Sequence, residues 1–525
     1  MSQMLKSSGA MSAATLASRV LGLVREQVYA RFMGITAVAD AFQMAFTVPN
    51  LFRRLLGEGA LTAAFIPIFK EKEKNAGEVE MWRSANAVLS GLIIACAIIV
   101  AAVLLGVSLA LAWPWPSFET PLMLRLLRVM FPYMLLVCVA AAFMGMLNAR
   151  GHFFIPALGA GLLNVVMIAS VLWLAPRMGE RLEQQIFALA IGVLLAGVAQ
   201  AAFQWPTLRR EGFRFEWISP WQNETVRQVV RKMLPASIGV AAFQINVLLT
   251  QVMGFWFHDG IVASFQYAVR LMEFPQGLFG ISLATFLLPT LSGLAAEKKY
   301  PEFRATLGQG LGYLVFVNLL ASVLLLVLAE PIVRLLFERG KFTAESTGRV
   351  SLAVACLAPG LIAFSTVNIL ARAFYALGDV KTPMKISLFC LANNLVVAFF
   401  LVGRWEAAGL AAANTLTSLI NVALLLYALR RKLARLELRH LQKSVLSALG
   451  PALLAAAVAW GTALWWRLQF GHANLGLKMG EVFVPMICAS LVYFALCVWM
   501  RIEAAQDVVQ MLGKRFLIQR RNARN

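Results

Sequence analysis

The sequence predicts an all-α polytopic membrane protein with about 14 transmembrane helices, and three observations predict it. Hydrophobic residues make up 60% of the 525 and charged residues only 14%, with a mean hydropathy of +0.74; soluble domains carry far more charge. Apolar runs long enough to cross a bilayer recur from near the first residue to near the last, and one crossing needs about 20 mostly apolar residues. Loops rich in Lys and Arg, such as Arg209 to Lys232, stand against loops with none, 113–121 and 257–260, the contrast that orients a multi-pass chain.

In order, the predicted helices lie near residues 9–34, 36–70, 84–112, 121–149, 153–175, 185–208, 228–257, 261–296, 306–330, 346–377, 383–403, 406–430, 443–467 and 480–500. The first is diluted by Ser, Thr and Arg and lacks a distinct apolar region before a cleavage site, so it reads as a retained span. The second is interrupted by Arg53 and Arg54, and between Ile261 and Ala296 the only charged residues are Arg270 and Glu273. Basic residues crowd the N-terminus, Lys70 to Lys74, Arg209 to Lys232, Lys298-Lys299, Arg430 to Lys443 and the tail after Arg501, whereas 113–121 and 257–260 have no Lys or Arg. Both termini are therefore expected in the cytoplasm. One predicted outer loop breaks the rule: Pro331 to Arg349 holds Arg334, Arg339, Lys341 and Arg349. An amphipathic surface helix is the expected explanation.

The net charge of +21 is spread over short inter-helical segments, where it sets topology and meets anionic headgroups, and no nucleic-acid-binding module accompanies it. Nucleic acid is not an expected partner. The six cysteines all sit in apolar stretches without ligand spacing, and the four histidines fall at loops or span ends. Neither a disulfide framework, a metal site nor any cofactor is expected.

The chain also repeats itself. Phe42-Gln43-Met44-Ala45 returns as Phe265-Gln266-Tyr267-Ala268, Gly151 and Pro156 return as Gly378 and Pro383, and Pro67 returns as Pro289. The agreement of these offsets predicts two six-helix halves, 1–215 and 225–435, then two extra helices within 440–503 and a basic cytoplasmic tail, 504–525. Corresponding elements fall on the same predicted side, so the repeat is parallel, as in transporters that work by alternating access.

Arginines at membrane depth carry the functional signal. A guanidinium near the bilayer centre costs about 2.5–3.5 kcal/mol on the lenient insertion scale, so it is expected to face a cavity or a partner. At about 100° per residue, Ser18, Gly22 and Arg25 fall on one stripe of the first helix, and Arg19 and Glu26 on the next. Asn50, Arg53, Arg54 and Gly57 project to one side of the second helix, with Glu58 one turn beyond Arg54 and a kink expected at Pro49. Arg270 and Glu273 share a side of the eighth, followed by Pro275. The plain alternatives are snorkelling for Arg53 and Arg54 and a structural ion pair for Arg270 and Glu273. If the arginines converge, Asp40, Glu58 and Glu273 offset part of the charge, and the surplus suits a phosphate or diphosphate gripped bidentately.

The stretches LASRVLGLVRE (16–26), DAFQMAFTVPNLFRRLLGEGALTAAFIP (40–67), RLMEFPQGLFGISLATFLLPTLS (270–292) and RAFYALGDVKTP (372–383) resemble the MurJ (MviN) family of lipid II flippases, within the multidrug/oligosaccharidyl-lipid/polysaccharide exporter superfamily. The resemblance implies two six-helix lobes around a central cavity, with the two terminal helices forming a hydrophobic groove. It implies Arg19, Arg25, Arg53 and Arg270 as cavity arginines with Asp40 and Glu273 as associated acids, while Ser18, Asn50, Arg54 and Glu58 match the same motifs. One departure concerns ion coupling. Some relatives bind sodium through carboxylates on the seventh and eleventh helices, yet 233–257 and 383–403 contain neither Asp nor Glu.

The expected function is therefore transport of lipid II, an undecaprenyl-diphosphate-linked peptidoglycan precursor, across a bacterial inner membrane. The expected partners are the diphosphate headgroup and polyprenyl tail of that lipid, membrane lipids and the cell-wall machinery, with the protein working as a monomer. No catalytic residue is expected. A drug/cation exporter of the same superfamily would need an acidic cavity, where this one is predicted basic; export of another polysaccharide lipid is the remaining alternative. A membrane glycosyltransferase would need acidic residues in sizeable loops, and these loops are short.

Overall fold

In a computed structural model, residues 2–58, 60–433 and 438–510 are described, and every regular element among them is helical. A chain this apolar has little alternative, because backbone polar groups in hydrocarbon must be satisfied within their own segment.

Helix α1 spans Ser2–Met33 and α2 Ala37–Phe52. Between them Thr36 donates to the Met33 carbonyl at 2.9 Å and caps α2 by accepting from the Ala39 N–H at 3.3 Å. After Phe52 the chain widens into π-helix over Arg53–Glu58, so the break expected at Pro49 falls one turn later, on the arginines themselves. Helix α3 (Ala60–Leu111) is broken at Gly77, whose φ of +83° a side chain rarely adopts. Next come α4 (Glu119–Met130) and α5 (Tyr133–Ala149), bent by 41°, and α6 (Phe154–Ala169), which runs into π-helix over Ser170–Leu174. Helices α7 (Leu182–Arg210), α8 (Glu224–Phe257) and α9 (Ile261–Pro275) follow. Another π segment, Gln276–Gly280, leads into α10 (Ile281–Ala296). Then α11 (Tyr300–Val327) and the short α12 (Ala329–Phe337) precede α13 (Ala344–Leu357) and α14 (Gly360–Ala376), bent by 45°. Last are α15 (Lys381–Lys432), broken at Glu406, α16 (Leu438–Phe470) and α17 (Leu475–Trp499).

Helix occupies every predicted segment, and the chain is a multi-pass membrane protein. Among the described residues, seven helices are long and apolar enough to cross a membrane, or nine if each bent pair is one span. The expected 14 is not reached by that measure. Helices α1, α2, α8 and α9 fall outside it, and α15 counts once although it bends. Pro132 and Pro359 start the second arms of the two bent pairs, and π segments begin at Arg53 and Gln276, after α2 and α9.

The chain forms two compact units, Met1–Ala263 with Arg339–Phe342, and Ser264–Glu338 with Thr343–Asn525. In the first, α1 packs on α6, α5 and α6 on α7, and α3 on α5 and α8. A run of rings, Phe65, Phe69, Trp82, Phe213, Trp205 and Phe143, with neighbouring centroids 5.3–6.2 Å apart, pins the segment after α7 onto α3. Such pairs add about 0.5–1.5 kcal/mol each beyond the area they bury. In the second unit, Leu287, Leu291, Phe303, Leu307, Leu314, Ile369, Leu370 and Phe374, with Leu425 and Leu429, form the core shared by α10, α11, α14 and α15.

Two of the four basic residues at 331–349, Arg334 and Arg349, are paired within this unit. Helix α12 is amphipathic, but Arg334 on it is buried rather than superficial. It donates to Glu481 of α17 at 3.0 and 3.3 Å and to Glu330, while Arg467 of α16 reaches Glu481 at 3.1 Å. Arg349 is paired with Glu406 at 2.7 Å. Arg334 and Arg349 are thus each paired with a carboxylate on another helix, Arg334 also with Glu330 of its own.

Candidate functional site

In the first unit α1 presents its polar residues in different directions. Ser18 and Gly22 face α6: the Asn164 amide donates to the Ser18 carbonyl at 3.2 Å, and a Cβ at Gly161 would lie 3.5 Å from the Ser18 hydroxyl. The stripe is real, but its upper half is a helix-packing seam. Arg19 is exposed. Arg25 is largely enclosed, its side chain 11% exposed, and it pairs with Glu26 at 2.5 Å. Its guanidinium carbon sits 5.4 Å from the centroid of the Tyr29 ring, and its buried Nε has no hydrogen-bond partner. A buried charge with one carboxylate, one aromatic face and one unfilled donor is poised for a further acceptor. Glu26 and Tyr29 escaped the sequence reading as partners of Arg25, although one is its neighbour and the other one turn away.

Asn50 orients Arg53, accepting from its Nε at 2.9 Å. Both are half-buried, as is Arg54, and both arginines lie in the π segment. There one extra residue per turn turns the side chains that follow away from ordinary helical phase. The side chain of Glu58 lies outside the described residues. Asp40 has a different role from the charge offset expected of it. Its two carboxylate oxygens accept from the backbone N–H groups of Gly260 and Ala263, each at 2.7 Å, at the start of α9. A carboxylate there satisfies otherwise orphaned donors and complements the helix dipole. Nearby, Thr47 of α2 donates to Gln251 of α8 at 2.6 Å.

In the second unit Arg270 and Glu273 form an i,i+3 pair at 2.7 Å, with side chains 40% and 46% exposed. The π segment that follows them packs against α14, where a Cβ at Gly280 would meet the Ser365 hydroxyl at 2.6 Å. The structure thus brings together Arg25 with Glu26 and Arg53 with Asn50 in the first unit, and Arg270 with Glu273 in the second.

Two ionic turns at the predicted cytoplasmic ends also went unread in the sequence. Arg150, just past α5, bonds Glu73, Glu78 and Glu211 at 2.5, 2.9 and 2.8 Å, and His152 bonds Glu211 at 2.8 Å. The Arg150 and His152 hydrogen bonds hold the Glu211 carboxyl below its ordinary range. At the corresponding turn after α14, Asp379 bonds Lys432 at 2.6 Å, which with the Thr382 hydrogen bonds pushes its pKa down to about 2.

Comparison with known proteins points to one family. The chain is 32% identical to the probable lipid II flippase MurJ of Haemophilus influenzae over 92% of its own length and 97% of the relative's. It is 32% identical to the lipid II flippase MurJ of Burkholderia cenocepacia, over 80% and 82%. A solved lipid II flippase MurJ in an inward closed conformation superposes with a TM-score of 0.77 at 23% identity, covering 94% of this chain and 98% of that one. An inward-facing multidrug transporter of the MATE family, in the MOP superfamily, gives 0.64 at 13%, covering 81% and 98%, so the fold extends beyond one substrate class. The family model for lipid II flippase MurJ matches residues 29–477, and with relatives this similar over nearly their full length the chain belongs to the lipid II flippase MurJ family.

Proposed function

We infer that this chain flips lipid II across a bacterial inner membrane for peptidoglycan synthesis, as a transporter and without catalysis. The family match over residues 29–477 carries this reading. Among the residues, the enclosed Arg25 with its unfilled Nε supplies what a buried diphosphate needs, a charged donor not fully claimed by its own carboxylate.

In this reading Arg25, Arg53 and Arg270 hold the diphosphate. Arg19 and Arg54 add field, Asn50 orients Arg53, and Glu26 and Glu273 keep two guanidiniums soluble in the empty site. Ser18 sets the seat of α1 on α6, Asp40 the start of α9, and Glu58 balances Arg54. The two six-helix halves, 1–215 and 225–435, rock about the headgroup while the polyprenyl tail stays among lipids or along α16 and α17, whose Leu453, Trp460, Ile487 and Leu491 are exposed. Both termini and the tail at 504–525 face the cytoplasm, and a monomer suffices, with the cell-wall machinery as its neighbours. An inside-negative potential favours outward movement of the anionic headgroup by about 2.3 kcal/mol per charge per 100 mV. Helices α8 (within 233–257) and α15 (within 383–403) offer no carboxylate for a sodium ion.

The test is rescue of a flippase-depleted strain combined with an assay of lipid II accessibility at the outer face. The wild-type chain should restore both, and Arg25→Ala, Arg53→Ala and Arg270→Ala should each fail at normal protein levels. Outer-face lipid II that persists after depletion removes the function; full rescue by all three variants removes the arginine mechanism.

A further inference from the structure

Arg25 is buried, yet part of its guanidinium edge is unclaimed. Glu26 accepts from its Nη2 at 2.5 Å, while the buried Nε–H has no partner. A guanidinium is a planar fork whose N–H donors all lie in its plane, so its two faces carry no hydrogen bond. An aromatic ring against one face therefore offsets the cost of burying the cation and leaves every edge donor where it was. A second carboxylate would offset the charge only by taking donors.

Tyr29 is placed to serve that face. It lies one turn after Arg25 on α1, and helical side chains lean back toward the N-terminus, so residue 29 covers residue 25. The guanidinium carbon stands over its ring, 5.4 Å from the centroid. The ring is itself fixed. Only 4% exposed, Tyr29 meets Phe42 of α2 edge to face, with centroids 5.8 Å apart. Phe42 stacks on Phe46 at 6.1 Å, and Phe46 meets Tyr133 of α5 at 6.4 Å. Tyr133 is fully buried against α7, where a Cβ on Gly197 would come within 2.8 Å of its ring. A ladder of rings thus runs from α7 to the guanidinium, all of it inside the first unit.

We propose that Tyr29 is a positioning residue of the headgroup site: its ring holds the Arg25 guanidinium by the face, so that the edge stays open to a lipid-linked diphosphate. The proposal rests on the reading of Arg25 as a ligand of that diphosphate. Without the ring, the guanidinium is free to turn onto Glu26 and bond both carboxylate oxygens, the geometry that arginine–carboxylate pairs favour. An incoming diphosphate must then break that closed pair before it binds. The ladder removes this cost in advance, which is preorganisation of the site.

Binding of lipid II to the purified full chain in lipid nanodiscs tests it. Tyr29→Leu, and pentafluorophenylalanine at position 29, fill similar space without an electron-rich face. Each should bind about 3- to 30-fold more weakly than the wild type. Tyr29→Phe, the conservative variant, keeps the ring and should retain the binding that Tyr29→Leu loses. Phenylalanine and its fluorinated form have nearly the same shape, so a packing role does not separate that pair. Equal affinity of those two proteins overturns the proposal. A second readout is coupling to the competing carboxylate. In a Glu26→Gln background the loss caused by Tyr29→Leu should shrink, and a loss as large as in the wild-type background overturns the proposal. Arg25→Ala separates the two readings. If that variant binds lipid II as the wild type does, the assignment of Arg25 to the headgroup falls and takes the role of Tyr29 with it. If it loses binding while fluorination changes nothing, only the role of the ring falls.

Discussion

Replacing Glu26 with Gln should move stability and substrate affinity in opposite directions. Glu26 is 5% exposed and lies 2.5 Å from the Arg25 guanidinium. Removing its charge leaves a buried cation, which costs about 3–5 kcal/mol when a pair is broken outright. Here the Gln oxygen still accepts a hydrogen bond and the Tyr29 ring remains at 5.4 Å, so about 2 kcal/mol is expected. The empty protein should therefore melt lower. For the bound state the sign reverses, because the carboxylate competes with an incoming diphosphate for the same donors. Freeing one charge-assisted hydrogen bond, worth about 1.5–3 kcal/mol, should tighten lipid II binding by about 10- to 100-fold. Ligand-induced stabilisation grows as RT ln(1 + [L]/Kd), so each tenfold adds about 1.4 kcal/mol. Melting of purified protein with and without lipid II, in the wild type and Glu26→Gln, measures both signs at once. A variant that melts lower but gains no more from lipid II than the wild type does would show that Arg25 is a structural cation and refute its assignment to the headgroup.

Other outcomes follow from the ionic sites. Glu481→Ala strips the shared acceptor from Arg334 and Arg467 and should cost about 2–4 kcal/mol, read as a lower melting temperature and easier proteolysis at the α16–α17 turn; an unchanged melt would mean that Glu330 alone suffices. Asp379, held at about 2 by Lys432 against an ordinary 3.8, contributes stability that is full above its ordinary value and disappears as pH falls through about 2. Asp379→Asn should flatten that acid limb of the melting profile, and an unaltered limb would assign it elsewhere.

Much of the fold was legible because the bilayer leaves few options. Runs such as 84–112 and 480–500 can only be helices once they are in hydrocarbon. The site was legible in composition and only partly in geometry. Helical phase placed Ser18 and Arg25 on one stripe, yet what a stripe faces depends on helices elsewhere, and Gly161 and Asn164 claim the Ser18 end. Asp40 looked like a counter-charge because sequence shows side chains and hides free amides; its partners are N–H groups about 220 residues away. Arg334 was misjudged for a similar reason: besides Glu330 on its own helix it meets Glu481, 147 residues downstream. The π segments carry no local signature at all, since RRLLGE and QGLFG are ordinary helix text.

Those wide turns also shift phase. A π turn holds one residue more than the α turn it replaces, so the helix that leaves it is rotated against the helix that entered. Arg53–Glu58 and Gln276–Gly280 stand 223 positions apart, and Leu55 with Leu278 and Gly57 with Gly280 agree between them. A polar stripe read from the residues before either turn therefore cannot be carried past it: the side that Asn50 opens, and the side that Arg270 and Glu273 share, each end where the wide turn begins.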